Sequence, residues 1–137
     1  MAFDDKFRLS SHAVILRQGA TEQEVLLLKA TYGSCNWGLP GGALEPGETI
    51  HEALIRECQE ELGLTVTVNY LSGVYYHSAY NSQAFIFSCD INSDDSITLS
   101  SEHSQYQFVA ISSLPKVQKA RVNDCIQYHG VVVSCKF

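Results

Sequence analysis

The sequence predicts an α/β protein with layers in the order α/β/α, and three observations carry that prediction. Short apolar or alternating runs that read as strands recur between residues 7 and 110. Two stretches with helix signals, residues 49–62 and a segment starting near 114–115, lie among and after them. No repeat, low-complexity segment or linker divides the 137 residues, so one domain over 1–137 is expected. Strands alternating with helices bury both faces of a sheet, which gives the three layers.

Taken in order, residues 7–16 end in Ala13-Val-Ile-Leu and read as a strand entering the core. A turn at Gly19-Ala-Thr-Glu-Gln joins it to a second strand at 25–29, and the two should form a hairpin. Residues 31–36 are a loop. Trp37-Gly-Leu-Pro-Gly-Gly follows, half glycine, and brings backbone close to something before a short strand at Ala43-Leu44-Glu45.

Pro46-Gly47 is a turn, and Thr49 with Glu52 makes a capping box, so a helix starts at about Thr49. Gly63 stops it. Residues 65–76 alternate as one long strand bent at Gly73, and 83–90 form the next. A turn at 92–95 precedes Ile97-Thr-Leu, and 105–110 is another strand. Ser112 or Ser113 can cap a last helix that runs to about His129.

Nine Lys plus Arg against fifteen Asp plus Glu leave a formal charge of −6, with no basic face for duplex nucleic acid. An anionic ligand would have to arrive with metal. The five cysteines are odd in number and show no C-x-x-C spacing, which reads as reduced thiols in a cytoplasmic protein. No apolar run approaches membrane-spanning length, and the first residues lack a secretory apolar region.

The helix from Thr49 carries the functional clue. Ile50, Ala53, Leu54, Cys58 and Leu62 sweep one apolar arc at 100° per residue, but Glu57 and Glu61 fall inside that arc and Glu60 borders it. Three carboxylates on one helix edge repel, partial burial raises the cost, and the last turn favours cations instead. A hard divalent cation such as Mg²⁺, which takes carboxylate oxygens plus waters and substrate phosphates, reverses all three effects.

Gly42, five residues, Glu48, seven residues, then Arg56-Glu57-Cys58-Gln59-Glu60-Glu61-Leu62-Gly63-Leu64 resembles the Nudix box, G-x5-E-x7-R-E-U-x-E-E-x-G-U, with U a bulky aliphatic residue. All fixed letters match, a coincidence below about one in 10⁸ at ordinary residue usage. Cys58 departs softly from the usual aliphatic residue and packs as a small hydrophobe. The resemblance implies a mixed sheet between helices, with residues 42–64 over one face. It implies hydrolysis of a phosphoanhydride in a nucleoside diphosphate linked to another group: a nucleoside triphosphate, an oxidised nucleotide or a dinucleoside polyphosphate.

By the same resemblance, Glu57, Glu60, Glu61 and the Gly41 carbonyl hold Mg²⁺, with Mn²⁺ as a substitute, and Glu48 and Arg56 orient the cluster. The general base stays open between Glu57 and Glu102, with His103 third. For the substrate, Trp37, Tyr76 and Tyr80 are the candidate contacts, and Tyr75 and His77 could also stack on a base. Tyr80 lies sixteen residues beyond Leu64, as does the tyrosine marker of diadenosine polyphosphate hydrolases, and no proline occurs there to mark an ADP-ribose hydrolase. Many members of the family pair as homodimers. A binding module that senses a nucleotide without cutting it is the alternative; it would be favoured by loss of a box glutamate, and all are present.

Overall fold

The computed structural model describes residues 2–137. Its strands are β1 (Arg8–Gln18), β2 (Gln23–Ala30), β3 (Trp37–Gly38), β4 (Gly41–Ala43), β5 (Thr67–His77), β6 (Ser82–Asp90), β7 (His103–Ala110) and β8 (Val133–Lys136), and its α-helices are α1 (Ile50–Leu62) and α2 (Lys116–Ile126). The strands form a mixed sheet in the order β3-β2-β1-β6-β5-β8, with β4 added to β1 and β7 to β2. β1 is the hinge of this arrangement. It runs parallel to β6 over residues 8–15, while its other edge takes β4 at residues 10–12 and β2 at residues 16–18, both antiparallel.

Period-two alternation sorts the strand residues between two cores. Ala13, Ile15, Leu26, Leu28, Phe87 and Cys89 face Leu54, Cys58 and Leu62 of α1. Their neighbours Val14, Val25, Leu27, Ala84 and Ile86 face Val122 and Cys125 of α2. A sheet covered on both sides explains the unbroken apolar runs Ala13-Val-Ile and Val25-Leu-Leu-Leu. Each fully buried aliphatic side chain contributes about 1.5–3 kcal/mol.

Local chemistry sets the limits of α1. The Thr49 side chain accepts from the Glu52 N–H at 3.1 Å, and the Glu52 carboxylate accepts from the Thr49 N–H at 3.0 Å, completing the capping box. Gly63 ends the helix at φ 70°, the left-handed conformation that glycine adopts without a Cβ penalty. The Ser11 hydroxyl donates to the Ile50 carbonyl at 2.8 Å, which ties the start of α1 to β1.

Three expectations need correction. The short strand expected at 43–45 lies at Gly41–Ala43, because those residues pair with β1 whereas the Glu45 N–H turns to the Glu48 carboxylate at 2.7 Å. The last helix is shorter than expected and is not capped by serine: Ser112 lies in the 3-10 turn Ile111–Ser113, and its N–H and hydroxyl both donate to Glu22. α2 stops at Ile126, and Val133–Lys136 then adds a parallel strand beside β5 that the sequence did not announce. Ile97-Thr98-Leu99 forms no strand; it is a strap whose Thr98 N–H donates to the Leu62 carbonyl at 2.9 Å while Ile97 and Leu99 pack on the α1 core.

Thr49→Ala should lower stability by about 1 kcal/mol, read as a lower denaturant midpoint at unchanged slope. An unchanged midpoint would mean that the cap does not limit α1.

Candidate active site

A cleft of about 830 Å³ opens where β4 and the acidic edge of α1 meet the loop before β7 and the far strands. Its volume suits a nucleotide-sized ligand. Gly41, Gly42, Glu57, Glu61, Glu102 and His103 line its acidic end.

Glu61 is the more buried of the two helix carboxylates, at 6% exposure. One oxygen accepts from the Gly41 N–H at 2.7 Å, and the other lies 3.7 Å from His103 Nε2. Burial, reinforced by the charges of Glu57 and Glu102 and opposed by the Gly41 bond, pushes its carboxyl from the usual range up to about 8. His103 moves the other way, its burial lowering it. Burial also raises Glu57, against the pull of Arg56.

The Glu57 carboxylate lies on Gly42. A Cβ at that position would come within 2.6–2.7 Å of its carboxyl atoms, so the first letter of the box is glycine because a carboxylate occupies the space. Arg56 holds the outer edge of the cluster. Its guanidinium donates to Glu48 at 2.6 and 2.9 Å, to Glu57 at 3.1 Å, to Glu60 at 3.3 Å and to the Ala43 carbonyl at 3.1 Å. The hydrogen bonds from Arg56 and from the Glu45 N–H hold Glu48 below the ordinary carboxylate range, and the Glu48 contact in turn raises Arg56.

The residues singled out from the sequence fall in three places. Gly41, Glu57, Glu61, Glu102, Trp37 and Tyr80 line the cleft, with Tyr80 exposed at its rim. Glu48, Arg56 and Glu60 stand behind Glu57, joined to it through the guanidinium. Tyr76 is a correction: it is not among the cleft residues, and its hydroxyl donates to Asn81 at 2.9 Å. Tyr75 is a second, being fully buried with its hydroxyl on Asp124. Sequence reasoning missed His12, Gln118 and Arg121, which also line the cleft, His12 directly opposite Gly41 in the β1–β4 pairing. His12 borders an apolar strand and Arg121 reads as a solvated helix residue, so only the fold brings them in.

Among the described residues, no three His, Cys, Asp or Glu side chains gather as a ready-made metal cage. Arg56 holds Glu57 and Glu60, and the Gly41 N–H holds Glu61. The donor chemistry nevertheless fits a hard divalent cation. Two carboxylates face one cleft, each disfavoured as an anion by burial and by neighbouring carboxylates, and a cation among them removes both costs.

The NUDIX domain family model matches residues 6–126. A putative Nudix hydrolase of Caenorhabditis elegans is 34% identical over 93 residues, covering 66% of this chain and 25% of its own length. An ADP-ribose pyrophosphatase of Methanocaldococcus jannaschii is 31% identical over 121 residues, covering 82% of this chain and 70% of its own length. The chain thus spans a quarter of the first relative and over two thirds of the second. Among solved structures, an ADP-ribose pyrophosphatase of Streptococcus suis superimposes with a TM-score of 0.75 at 17% identity, covering 96% of this chain and all of that one, a likeness of fold. The chain belongs to the Nudix family, as a pyrophosphohydrolase acting on nucleoside diphosphates linked to a further moiety. Members generally depend on a divalent metal.

The Glu61 shift predicts a pH dependence in chelator. A carboxyl raised from 4.5 to about 8 keeps its proton in the folded chain after the unfolded chain has lost it. Stability therefore falls as pH rises between about 5 and 8. Glu61→Gln should remove most of that fall, measured as unfolding free energy against pH; an identical slope in both proteins would place the titration elsewhere.

Proposed function

We propose that residues 1–137 act as one hydrolytic unit in which Glu57, Glu60, Glu61 and the Gly41 carbonyl hold Mg²⁺, with Mn²⁺ as a substitute, around a small nucleotide substrate. The observation that carries this reading is the convergence of Glu57 and Glu61 on Gly41-Gly42 at the acidic end of the cleft. A bound divalent cation would neutralise phosphate oxygens that otherwise repel the nucleophile, and would favour deprotonation of the attacking water.

The chain supplies the positioning. Arg56, fixed on Glu48, holds the orientation of Glu57, so that the cluster does not need to be reorganised when substrate arrives. Glu102 is the general base in this reading: its carboxylate lines the cleft and is engaged by no hydrogen bond among the described residues, whereas Glu57 is held by Arg56. Its loop is pinned to the end of β2, where the Thr31 N–H donates to the Glu102 carbonyl at 2.9 Å and the Thr31 hydroxyl to the Ser101 carbonyl at 3.1 Å. Trp37 offers a wall for the nucleoside, and Tyr80 a ring at the rim for a second moiety.

Free thiols at all five cysteines accord with a reducing cytoplasm. No α-helix among the described residues is long and apolar enough to cross a membrane. With its acidic balance, the chain in this reading takes a small nucleotide rather than duplex nucleic acid, and pairing as a homodimer follows only from the family's habit.

The test is product release from a nucleotide panel, comprising nucleoside triphosphates, oxidised nucleotides, dinucleoside polyphosphates and ADP-ribose, with and without Mg²⁺. Metal-dependent cleavage supports the reading. Tight binding with no turnover under any divalent cation would make the chain a nucleotide sensor.

Glu60→Gln and Glu61→Gln should each keep a cooperative melt and lose turnover sharply; unchanged metal-dependent rates in both would remove these residues from the site. Gly42→Ala should shift stability by under about 1 kcal/mol, because a flexible carboxylate can yield. The same change should cost about a hundredfold in turnover, because that carboxylate is Glu57. Wild-type turnover in this variant would contradict the role given to Glu57.

A further inference from the structure

The turn that joins β5 to β6, residues 78–81, carries Tyr80, which lines the mouth of the cleft and is 68% exposed. The backbone beneath that ring is tied from two directions. Asn81 is left-handed at φ 46°, a conformation that asparagine tolerates better than most residues, and it uses both ends of its side-chain amide. The nitrogen donates to the Lys6 carbonyl at 2.8 Å, and the oxygen accepts from the Tyr76 hydroxyl at 2.9 Å. Its own carbonyl accepts from the Arg8 N–H at 3.2 Å. On the other side, Ser78 donates from its N–H, at 3.0 Å, and from its hydroxyl, at 2.9 Å, to the main-chain oxygen of Phe137. The Phe137 N–H returns to the Tyr76 carbonyl at 2.8 Å, and its ring lies 5.5 Å from that of His77.

A four-residue connection between paired strands closes without such ties, because β5 and β6 are already in register from His77 and Ser82 inward. Loop tips are ordinarily the loosest part of a domain. Here the segment before β1 and the one after β8, far apart in the chain, converge on four residues whose one large side chain stays unburied. The ties fall on Ser78 and Asn81, either side of Tyr80, so they fix its backbone and leave its ring free. A ring on a mobile loop must be ordered when ligand arrives, and that cost weakens affinity; a ring on a fixed turn escapes it.

We propose that Asn81 and Ser78 are positioning residues, which hold the turn so that the second moiety of the substrate meets Tyr80 already in place. Neither touches substrate in this account, and Tyr76 acts one step further back, through Asn81. The inference rests on the reading of Tyr80 as the ring for that moiety. The advantage it gives belongs to substrates long enough to reach from the acidic end of the cleft to the rim.

The test takes the ratio of kcat/KM for a dinucleoside tetraphosphate to that for the matching nucleoside triphosphate. It is measured in the wild type, Tyr80→Ala, Asn81→Gly, Tyr76→Phe and the double variant of Tyr80→Ala with Asn81→Gly. Asn81→Gly keeps the left-handed backbone accessible and drops both side-chain bonds, whereas Tyr76→Phe removes only one. The ratio should fall about fivefold in Asn81→Gly, through KM rather than kcat, and less in Tyr76→Phe. In the double variant, Asn81→Gly should add nothing to the loss caused by Tyr80→Ala, because its effect passes through that ring.

An unchanged ratio in Asn81→Gly would overturn the proposal, as would losses that simply add in the double variant. If Asn81→Gly does not melt cooperatively, Tyr76→Phe decides by the same ratio, alone and combined with Tyr80→Ala. A Tyr80→Ala variant with the wild-type ratio would sink the reading of the rim ring and the proposal with it; a loss in Tyr80→Ala that Asn81→Gly does not share sinks the proposal alone. If neither substrate is cleaved with any cation, the hydrolase reading fails by itself. The ratio of the two dissociation constants in EDTA then takes the place of the kinetic ratio, with the same expected and contrary results.

Discussion

The contact between two glutamates and two glycines constrains this structure more than any other. Glu61 reaches the Gly41 N–H and Glu57 lies on Gly42, so an acidic helix edge is pressed against backbone with little water to screen it. That contact fixes where α1 sits, because β4 is itself paired to β1 at residues 10–12. The Ser11 hydroxyl on the Ile50 carbonyl ties the start of the helix to the same stretch of β1. Moving the helix would break strand pairing, and moving the strand would open the carboxylate seat.

Such an edge costs stability that the rest of the domain must offset. Burial raises both carboxyl groups, and Glu61 reaches about 8, close to neutrality. Part of the compensation is built in, because the single guanidinium of Arg56 serves Glu48, Glu57 and Glu60. The remainder comes from the apolar arc of the same helix, where Leu54, Cys58 and Leu62 are fully buried against the sheet. Strain of this kind, kept at a site and offset elsewhere, is where local rules of sequence give way to function.

Much of this was legible because it is local. The capping box, the left-handed stop at Gly63 and the placement of Glu57 and Glu61 within the apolar arc all depend on residues within a few turns of each other. The apolar run Ala13-Val-Ile marked β1 as a strand entering the core, and its residues fall on both faces of the sheet. What failed was long-range. β8 is four mostly exposed residues whose existence depends on β5 lying beside them, and helix signals just before it drew the expected helix too far. Tyr75 and Tyr76 are adjacent aromatics on a strand, and no local signal separates the core residue from the one held by Asn81. Arg121 was invisible for a similar reason: its meaning comes from the cleft it closes.

The central claim is that the edge formed by Glu57, Glu60 and Glu61 seats a divalent cation. The most direct measurement is a titration of Mn²⁺ into isotopically labelled protein, following paramagnetic broadening of the backbone amides. The account predicts that Gly41, Gly42 and the residues of 57–61 broaden first and together, and that Mg²⁺ restores them by competition. Broadening that begins elsewhere, such as the acidic turn at Asp94-Asp95, with the glycine amides untouched at saturating nucleotide, would contradict it.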